Sequence, residues 1–285
     1  MLEPVTSSVM NIIRGNSQKT KLILLQTADD ATCSLSSLEW GLVADIILEA
    51  EALRCFGEAR YGLSGMVKSL SPKKYRCRLS FLRATEENRA KMALARKSTL
   101  LRLYSDPICN NQQKNYFYQG RNSKCSASRQ TSFLSQEAES IGLEEGYGSS
   151  SRLLWKTVTS LLPSWVQPVP DDWETIEEDF YMVACSYVSR LSAYLSLAPV
   201  AKHDDDTIWL TLLRGDIPRI FIPYILIAMR NGKHVNLSAI DTIPILAFRL
   251  EPLDSGCDFT VDGDFLKGGI LQGEILPFTL NIMSR

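Results

Sequence analysis

The chain has 285 residues and an almost balanced charge, 31 Lys and Arg against 32 Asp and Glu. This balance provides no global field for nucleic acid, and no basic patch with interleaved aromatics occurs. The length allows one large domain or two smaller ones with a sizeable core. Seven widely spaced cysteines (Cys33, Cys55, Cys77, Cys109, Cys125, Cys185, Cys257) form no CxxC pair, which points to reduced thiols rather than a disulfide framework or a zinc site. The start, MLEPVTSSVMNIIRG, lacks a basic segment followed by a long apolar one. The longest apolar stretch, IFIPYILIAM at 220–229, is far below the ~20 residues of a spanning helix. The expectation is a soluble or peripheral, cytoplasmic protein.

Residues 1–19 read as a lead-in. Over 20–48 the pattern predicts strands: KLILLQ, a turn at ADDAT, then SLSSLEWGLVADIIL. On a strand, Asp45 and Ile47 would share one face. Residues 51–70 predict a helix with Leu53, Phe56, Leu63, Met66 and Leu70 broadly on one side. KKYRCRLSFL at 73–82 alternates charged and apolar positions, the period of a half-buried antiparallel strand. From 86 to 160 the chain is polar and aperiodic, the composition of a disordered, dispensable insertion. Order returns in 161–285, with strands expected at FYMVACSYV and DTIWLTLLRG. A helix is expected from Asp216 as cap to Gly232, with Ile217, Ile220, Phe221, Tyr224, Ile225 and Ala228 as its inner stripe. Pro223 should kink it. The tail is a run of short strands with a hairpin tip at VDGD. The fold class expected is mainly β with packed helices (α+β), an antiparallel β-sandwich with helices at one end.

Several of these segments resemble one family. WGLVADIILEAEALRCFGEARYGL, KYRCRLSFL, PDDWETIEEDFYMV, MRNGKHV, ILAFRLEP, FTVDGDF and LQGEI recur in the order and register of the sphingosine kinases, over about 20–85 and 163–285. In KYRCRLSFL, Cys77 stands where that family has glycine. The resemblance implies the C-terminal, lipid-holding β-sandwich lobe of a two-lobed kinase. Such a kinase passes the γ-phosphate of ATP, with Mg2+, to the primary hydroxyl of a sphingoid base. The glycine–aspartate loop that carries the catalytic base of that family is not found ahead of Trp40. The expectation is that catalysis and tight nucleotide binding need a further lobe, and that this chain alone holds neither.

The same resemblance implies site residues. Arg54 and Arg60 match arginines that reach ATP phosphates, for which a guanidinium fork is suited. Without it, Glu51, Arg54 and Glu58 are a solvated helix face. Glu51 matches an acidic residue of that side. Asp262 matches the aspartate of the late turn, near phosphate through magnesium or water, and Asp264 replaces a glutamate. Read alone, Asp262 and Gly263 are a hairpin turn. Ile47 stands where the family holds the sphingoid head with aspartate. Asp45 is a partial substitute or a structural hydrogen-bonding group. Ser37 matches a serine near the head. Leu42, Val43, Tyr61, Leu226, Met229 and His234 match the lining of the lipid-tail cavity, and are otherwise ordinary core. Two readings stay open: the lipid lobe of an active kinase, or a non-catalytic member that binds lipid or a partner. The partners implied are a sphingoid base or related long-chain lipid, a peripheral membrane surface, and a nucleotide lobe or second kinase chain, but no nucleic acid.

Overall fold

The computed structural model describes residues 4–57, 59–105, 161–165, 167–192, 195–254 and 256–283. It divides into two compact units, 1–89 with 161–285, and 90–160. The first unit is a ten-stranded antiparallel sheet with helices, as the alternating patterns predict. Its strands are β1 (Ser17–Gln26), β2 (Ala31–Ser34), β3 (Ser37–Gly41), β4 (Tyr75–Arg83), β5 (Glu174–Ser186), β6 (Ile208–Arg214), β7 (Ile240–Pro252), β8 (Phe259–Val261), β9 (Asp264–Leu266) and β10 (Leu271–Met283). They run in the order β2-β1-β10-β7-β4-β5-β3-β8-β9, with β6 pairing β5 and β7 off this path. Both β4 and β6 bridge the two long strands: β4 pairs Glu174–Phe180 of β5, and β6 pairs Phe180–Ser186. Burial on β4 alternates at its start, with Tyr75, Cys77 and Leu79 inside and Arg76 and Arg78 outside, as a period of two requires. Trp40, Phe81, Phe180 and Phe248 are fully buried at the centre.

The helices are α1 (Pro4–Arg14), α2 (Leu42–Ala50), α3 (Ala59–Leu70), α4 (Glu86–Ser105) and α5 (Ile222–Arg230). Three expectations change here. First, Leu42–Leu48 is helix, not strand. Gly41 has φ 80°, and a Cβ there would lie 2.5 Å from the Tyr181 carbonyl oxygen. Only glycine fits this backbone, and the chain leaves β3 by turning into α2. Leu42, Val43, Ile46 and Ala50 then form the buried face. Second, the helix expected from Asp216 begins with a 3-10 turn at Arg219–Phe221 and becomes α5 at Ile222. Pro223 sits in its first turn, where a missing N–H breaks no bond, so there is no interior kink. The inner face is Ile222, Ile225, Ala228 and Met229, whereas Ile220, Phe221 and Tyr224 are exposed. Third, residues 86–105 are helical. Thr85 Oγ1 accepts the Asn88 N–H at 3.2 Å as an N-cap, and Ala, Lys, Arg and Glu favour helix. The rest of the expected insertion, 106–160, lies outside the described residues.

The chain rejoins the sheet through a buried arginine. Arg249 on β7 is 4% exposed. It donates to Gln272 Oε1 at 2.8 and 3.0 Å and to the carbonyls of Pro163, Ser164 and Gln167 at 3.1–3.2 Å. The Leu161 N–H donates to Glu274 Oε2 at 3.1 Å. Arg249→Met would leave those carbonyls without a donor. The expected outcome is a loss of about 2–4 kcal/mol in denaturant unfolding, with faster amide exchange at 161–167. An unchanged midpoint and unchanged exchange would show that this anchor is redundant.

Candidate functional site

Helix α2 organises the residues singled out in the sequence. Its buried face meets Ile222, Ile225 and Met229 of α5 and Tyr181, Met182 and Ala184 of β5 in one apolar cluster. Ile47 and Leu226 pack against that cluster. Leu42, Val43, Ile47, Leu226 and Met229 are thus brought together. His234 is fully buried beside it and donates from Nε2 to the Leu197 carbonyl at 2.9 Å. Burial lowers its pKa, which favours the neutral imidazole.

Asp45 and Ile47 do not share a face. Two residues along a helix are about 200° apart. Asp45 turns to β4, where Tyr75 Oη donates to its Oδ2 at 2.7 Å, while Ile47 turns to the apolar cluster. Asp45 is therefore a structural acceptor and does not replace a carboxylate at position 47.

At the C-terminal end of α2 the chain tightens into a 3-10 turn, Glu51–Phe56. Glu51 is the hub of a small ionic cluster. Arg54 Nε donates to its Oε2 at 2.6 Å, and Arg60 Nη1 lies 3.3 Å from its Oε1. Arg60 also donates to Tyr61 Oη at 2.7 Å, with its guanidinium 4.7 Å from the Tyr61 ring centroid. Tyr61 thus belongs to the arginine cluster, not to the apolar lining expected for it. The Arg54 side chain is 74% exposed. Two cations and one anion leave a net positive group with donors to spare, the charge that phosphate oxygens require.

Asp262 is elsewhere and otherwise engaged. It occupies the left-handed region at φ 53° in the turn between β8 and β9. Its Oδ1 accepts Ser34 Oγ, Ser36 N–H and Ser36 Oγ, each at 2.8 Å, and Ser37 N–H at 3.0 Å. Its Oδ2 accepts the Leu35 N–H at 2.9 Å. Burial works to raise its pKa, but these bonds outweigh it and hold the carboxyl below the usual range. The magnesium role expected for Asp262 finds no support in this geometry, because its carboxylate closes the β2–β3 turn. Asp262 and Asp264 line an open pocket of about 330 Å³ with Thr27, Asp30, Cys33 and Phe265. Glu51, Arg54 and Arg60 do not line it. Among the described residues no group of three or more His, Cys, Asp or Glu could hold a metal ion.

One titratable residue escaped the sequence analysis. Glu39 on β3 is 1% exposed. Thr260 Oγ1 donates to its Oε2 at 2.7 Å. Burial pushes its pKa up to about 7, against hydrogen bonds from Ser37 and Thr260, with Asp262 adding to the rise. The only sequence signal was a glutamate between Leu38 and Trp40, on the strand face shared with Ser37.

No family model matches the chain. It is similar to sphingosine kinase 1 of Rattus norvegicus, 26% identical over 267 residues, which cover 92% of this chain and 55% of that protein. Sphingosine kinase 1 of Homo sapiens is 24% identical over 277 residues, 96% of this chain and 58% of that protein. Sphingosine kinase 2 of Homo sapiens is 37% identical over 119 residues, 41% of this chain and 18% of that protein. The chain thus spans a little over half the length of the two kinase 1 sequences. A solved structure, a putative diacylglycerol kinase from Bacillus anthracis str. Sterne, matches with a TM-score of 0.51 at 10% identity. That match covers 98% of this chain and 61% of the other, and it is a likeness of fold.

The Asp262 clasp gives a direct prediction. Asp262→Ala removes five hydrogen bonds to a charged acceptor, and should lower stability by about 2–4 kcal/mol at pH 7. The folded pKa is depressed, so this contribution is present above the unfolded value and lost as pH falls through the folded one. The gap between wild type and variant in urea unfolding should therefore shrink below about pH 3.8. A gap that stays constant with pH would show that the carboxylate charge is not what holds the turn.

Proposed function

We propose that this chain, similar to the sphingosine kinases over nine-tenths of its length, forms the lipid-holding lobe of an ATP-dependent kinase acting on the hydroxyl of a long-chain base. One observation carries this reading: a single helix, α2, joins an apolar cluster to an arginine pair. Leu42, Val43, Ile47, Leu226 and Met229 supply the apolar side. Each methylene of a chain buried there contributes about 0.8 kcal/mol. Arg54 and Arg60 supply the phosphate side. In the complete enzyme ATP and Mg2+ would bring the γ-phosphate, and the two guanidinium groups would offset charge on its oxygens. In that state Glu51 would share its arginines with phosphate.

An exposed apolar surface supports the same reading. On α3, Met66, Val67 and Leu70 are 69%, 61% and 82% exposed. On α5 and the turn before it, Ile220, Tyr224 and Ile227 are 80%, 58% and 64% exposed. The two helices are in contact. So much exposed apolar surface marks an interaction site, and for a lipid-handling lobe we assign it to a bilayer surface. No helix among the described residues is long and apolar enough to cross a membrane.

Ile47 favours a second reading, a non-catalytic family member, because isoleucine cannot hold an ammonium or hydroxyl group. A chimera separates the two. Joined to the nucleotide lobe of an active relative, this chain should support lipid phosphorylation. Arg54→Ala or Arg60→Ala should each lower kcat/KM about ten- to a hundredfold, the loss of one charge-assisted phosphate contact. A folded, ATP-binding chimera without turnover would favour the non-catalytic reading. For the surface, Met66→Glu with Ile227→Glu should weaken co-sedimentation with phosphatidylcholine–phosphatidylserine vesicles about tenfold or more. Unchanged co-sedimentation would remove the membrane from this face.

A further inference from the structure

We propose that Glu39 is the counter-charge for the polar head of a long-chain amine in the lipid site, the role that Ile47 cannot fill. The proposal rests on the lipid-holding reading and adds the residue that selects the head group. In the sheet, Glu39 pairs with Ala184 of β5 and Thr260 of β8. Side chains of directly paired residues project to the same face. Ala184 belongs to the apolar cluster of α2 and α5, as does Met182, the partner of Gly41. Glu39 therefore stands on the sheet face that carries Ala184 of the apolar cluster, two positions from Ser37.

Its environment is unusual for a structural carboxylate. Buried acids are normally paired with a cation, because an isolated charge in an apolar site is strongly disfavoured. Among the described residues no Lys, Arg or His forms an ion pair with Glu39. Its side-chain hydrogen bonds are to neutral hydroxyls, Thr260 at 2.7 Å and Ser37. Among the described residues the titratable groups coupled to Glu39 are acidic: Asp262 in the β8–β9 turn, Cys185 on β5 and Tyr187 just after it. The carboxylic acids on α2 are committed elsewhere, Asp45 to Tyr75, and Glu49 to Lys68 at 3.0 Å. A carboxylate offers about four lone-pair positions, so Glu39 keeps acceptor capacity for a ligand. An incoming ammonium is the cation that this site lacks.

The pH behaviour follows. With a pKa near 7 in the empty site, Glu39 is mostly protonated at pH 6 and mostly ionised at pH 8. An ammonium favours the ionised form, so binding below pH 7 releases a proton. Amine affinity should rise about tenfold from pH 6 to pH 8, whereas a neutral lipid should show no such rise.

The experiment uses the whole chain and two fluorescent probes, a tail-labelled C18 primary amine and the same chain ending in an alcohol. Dissociation constants are measured from pH 6 to pH 8. Wild type should bind both and prefer the amine about tenfold or more at pH 8. Glu39→Gln should keep its affinity for the alcohol and lose both the amine preference and its pH dependence. Thr260→Val retains the carboxylate but removes a bond that favours ionisation. It should keep the amine preference and move it to higher pH. Asp45→Asn should leave the preference unchanged. An amine preference that survives Glu39→Gln, or binding of both lipids by wild type without preference, overturns the assignment of Glu39. Failure of wild type to bind either probe overturns the lipid-holding reading, and this proposal with it.

Discussion

The end of β3 is where the fold is decided. At Gly41 the backbone passes so close to the Tyr181 carbonyl that a Cβ would lie 2.5 Å from that oxygen, and φ is 80°. Any other residue would have to displace a central strand. This contact turns a sheet strand into α2 within one residue, and α2 fixes the rest. Its inner face closes on β5 and α5, its Asp45 reaches back to Tyr75, and its end delivers Glu51 to Arg54 and Arg60. Ser64 of α3 donates to the Ile46 carbonyl at 3.1 Å, so the next helix is registered on the same element. The apolar cluster and the Glu51–Arg54–Arg60 cluster are thus both fixed by one helix.

Beneath α2, two carboxylates show how environment divides like residues. Asp262 gathers five donors from the β2–β3 turn and its charge is fully answered by its own chain. Glu39, on a neighbouring stretch of sheet, is buried with no cation paired to it among the described residues, and its pKa rises to about 7. Hydrogen bonds to the charged form win at the first and desolvation wins at the second. The two are coupled, since the negative charge at Asp262 adds to the rise at Glu39. A carboxylate satisfied by its own turn is architecture, and an unanswered one is open to a ligand.

The sheet was readable in the sequence because half-burial imposes a period of two. Tyr75–Arg83 carries that period openly, with Arg76 and Arg78 paired outside to Glu177. Helix α2 was not readable in the same way. Val43, Ile46 and Ile47 are β-branched, which favours strand, and the positive φ at Gly41 that overrides them is a tertiary contact. The outward side of α3 misleads for the opposite reason. Met66 and Leu70 satisfy a helical stripe, but the stripe faces outward, and periodicity alone cannot say which side the core lies on. Glu39 was silent because a single glutamate in a strand normally faces solvent. Only the pairing of β3 between β5 and β8 buries it.

The same reasoning changes the meaning of Ile47. Read as a strand residue, it is a lost head-group carboxylate with Asp45 as its neighbour. Read on α2, it is an apolar side chain completing a cluster that also contains Ile46, Ile222 and Ile225. The charge has not moved along the helix to Asp45, because that side of α2 faces Tyr75. It reappears across the cluster, on the strand beneath. A carboxylate at position 47 would be only partly buried, and its pKa would be raised less than that of a fully buried acid. One fixed in the sheet and desolvated is ionised only near neutrality and above, so the head-group preference becomes dependent on pH. An acid on the sheet rather than on the helix would therefore alter the proton balance of the proposed lipid binding while leaving the apolar cluster intact.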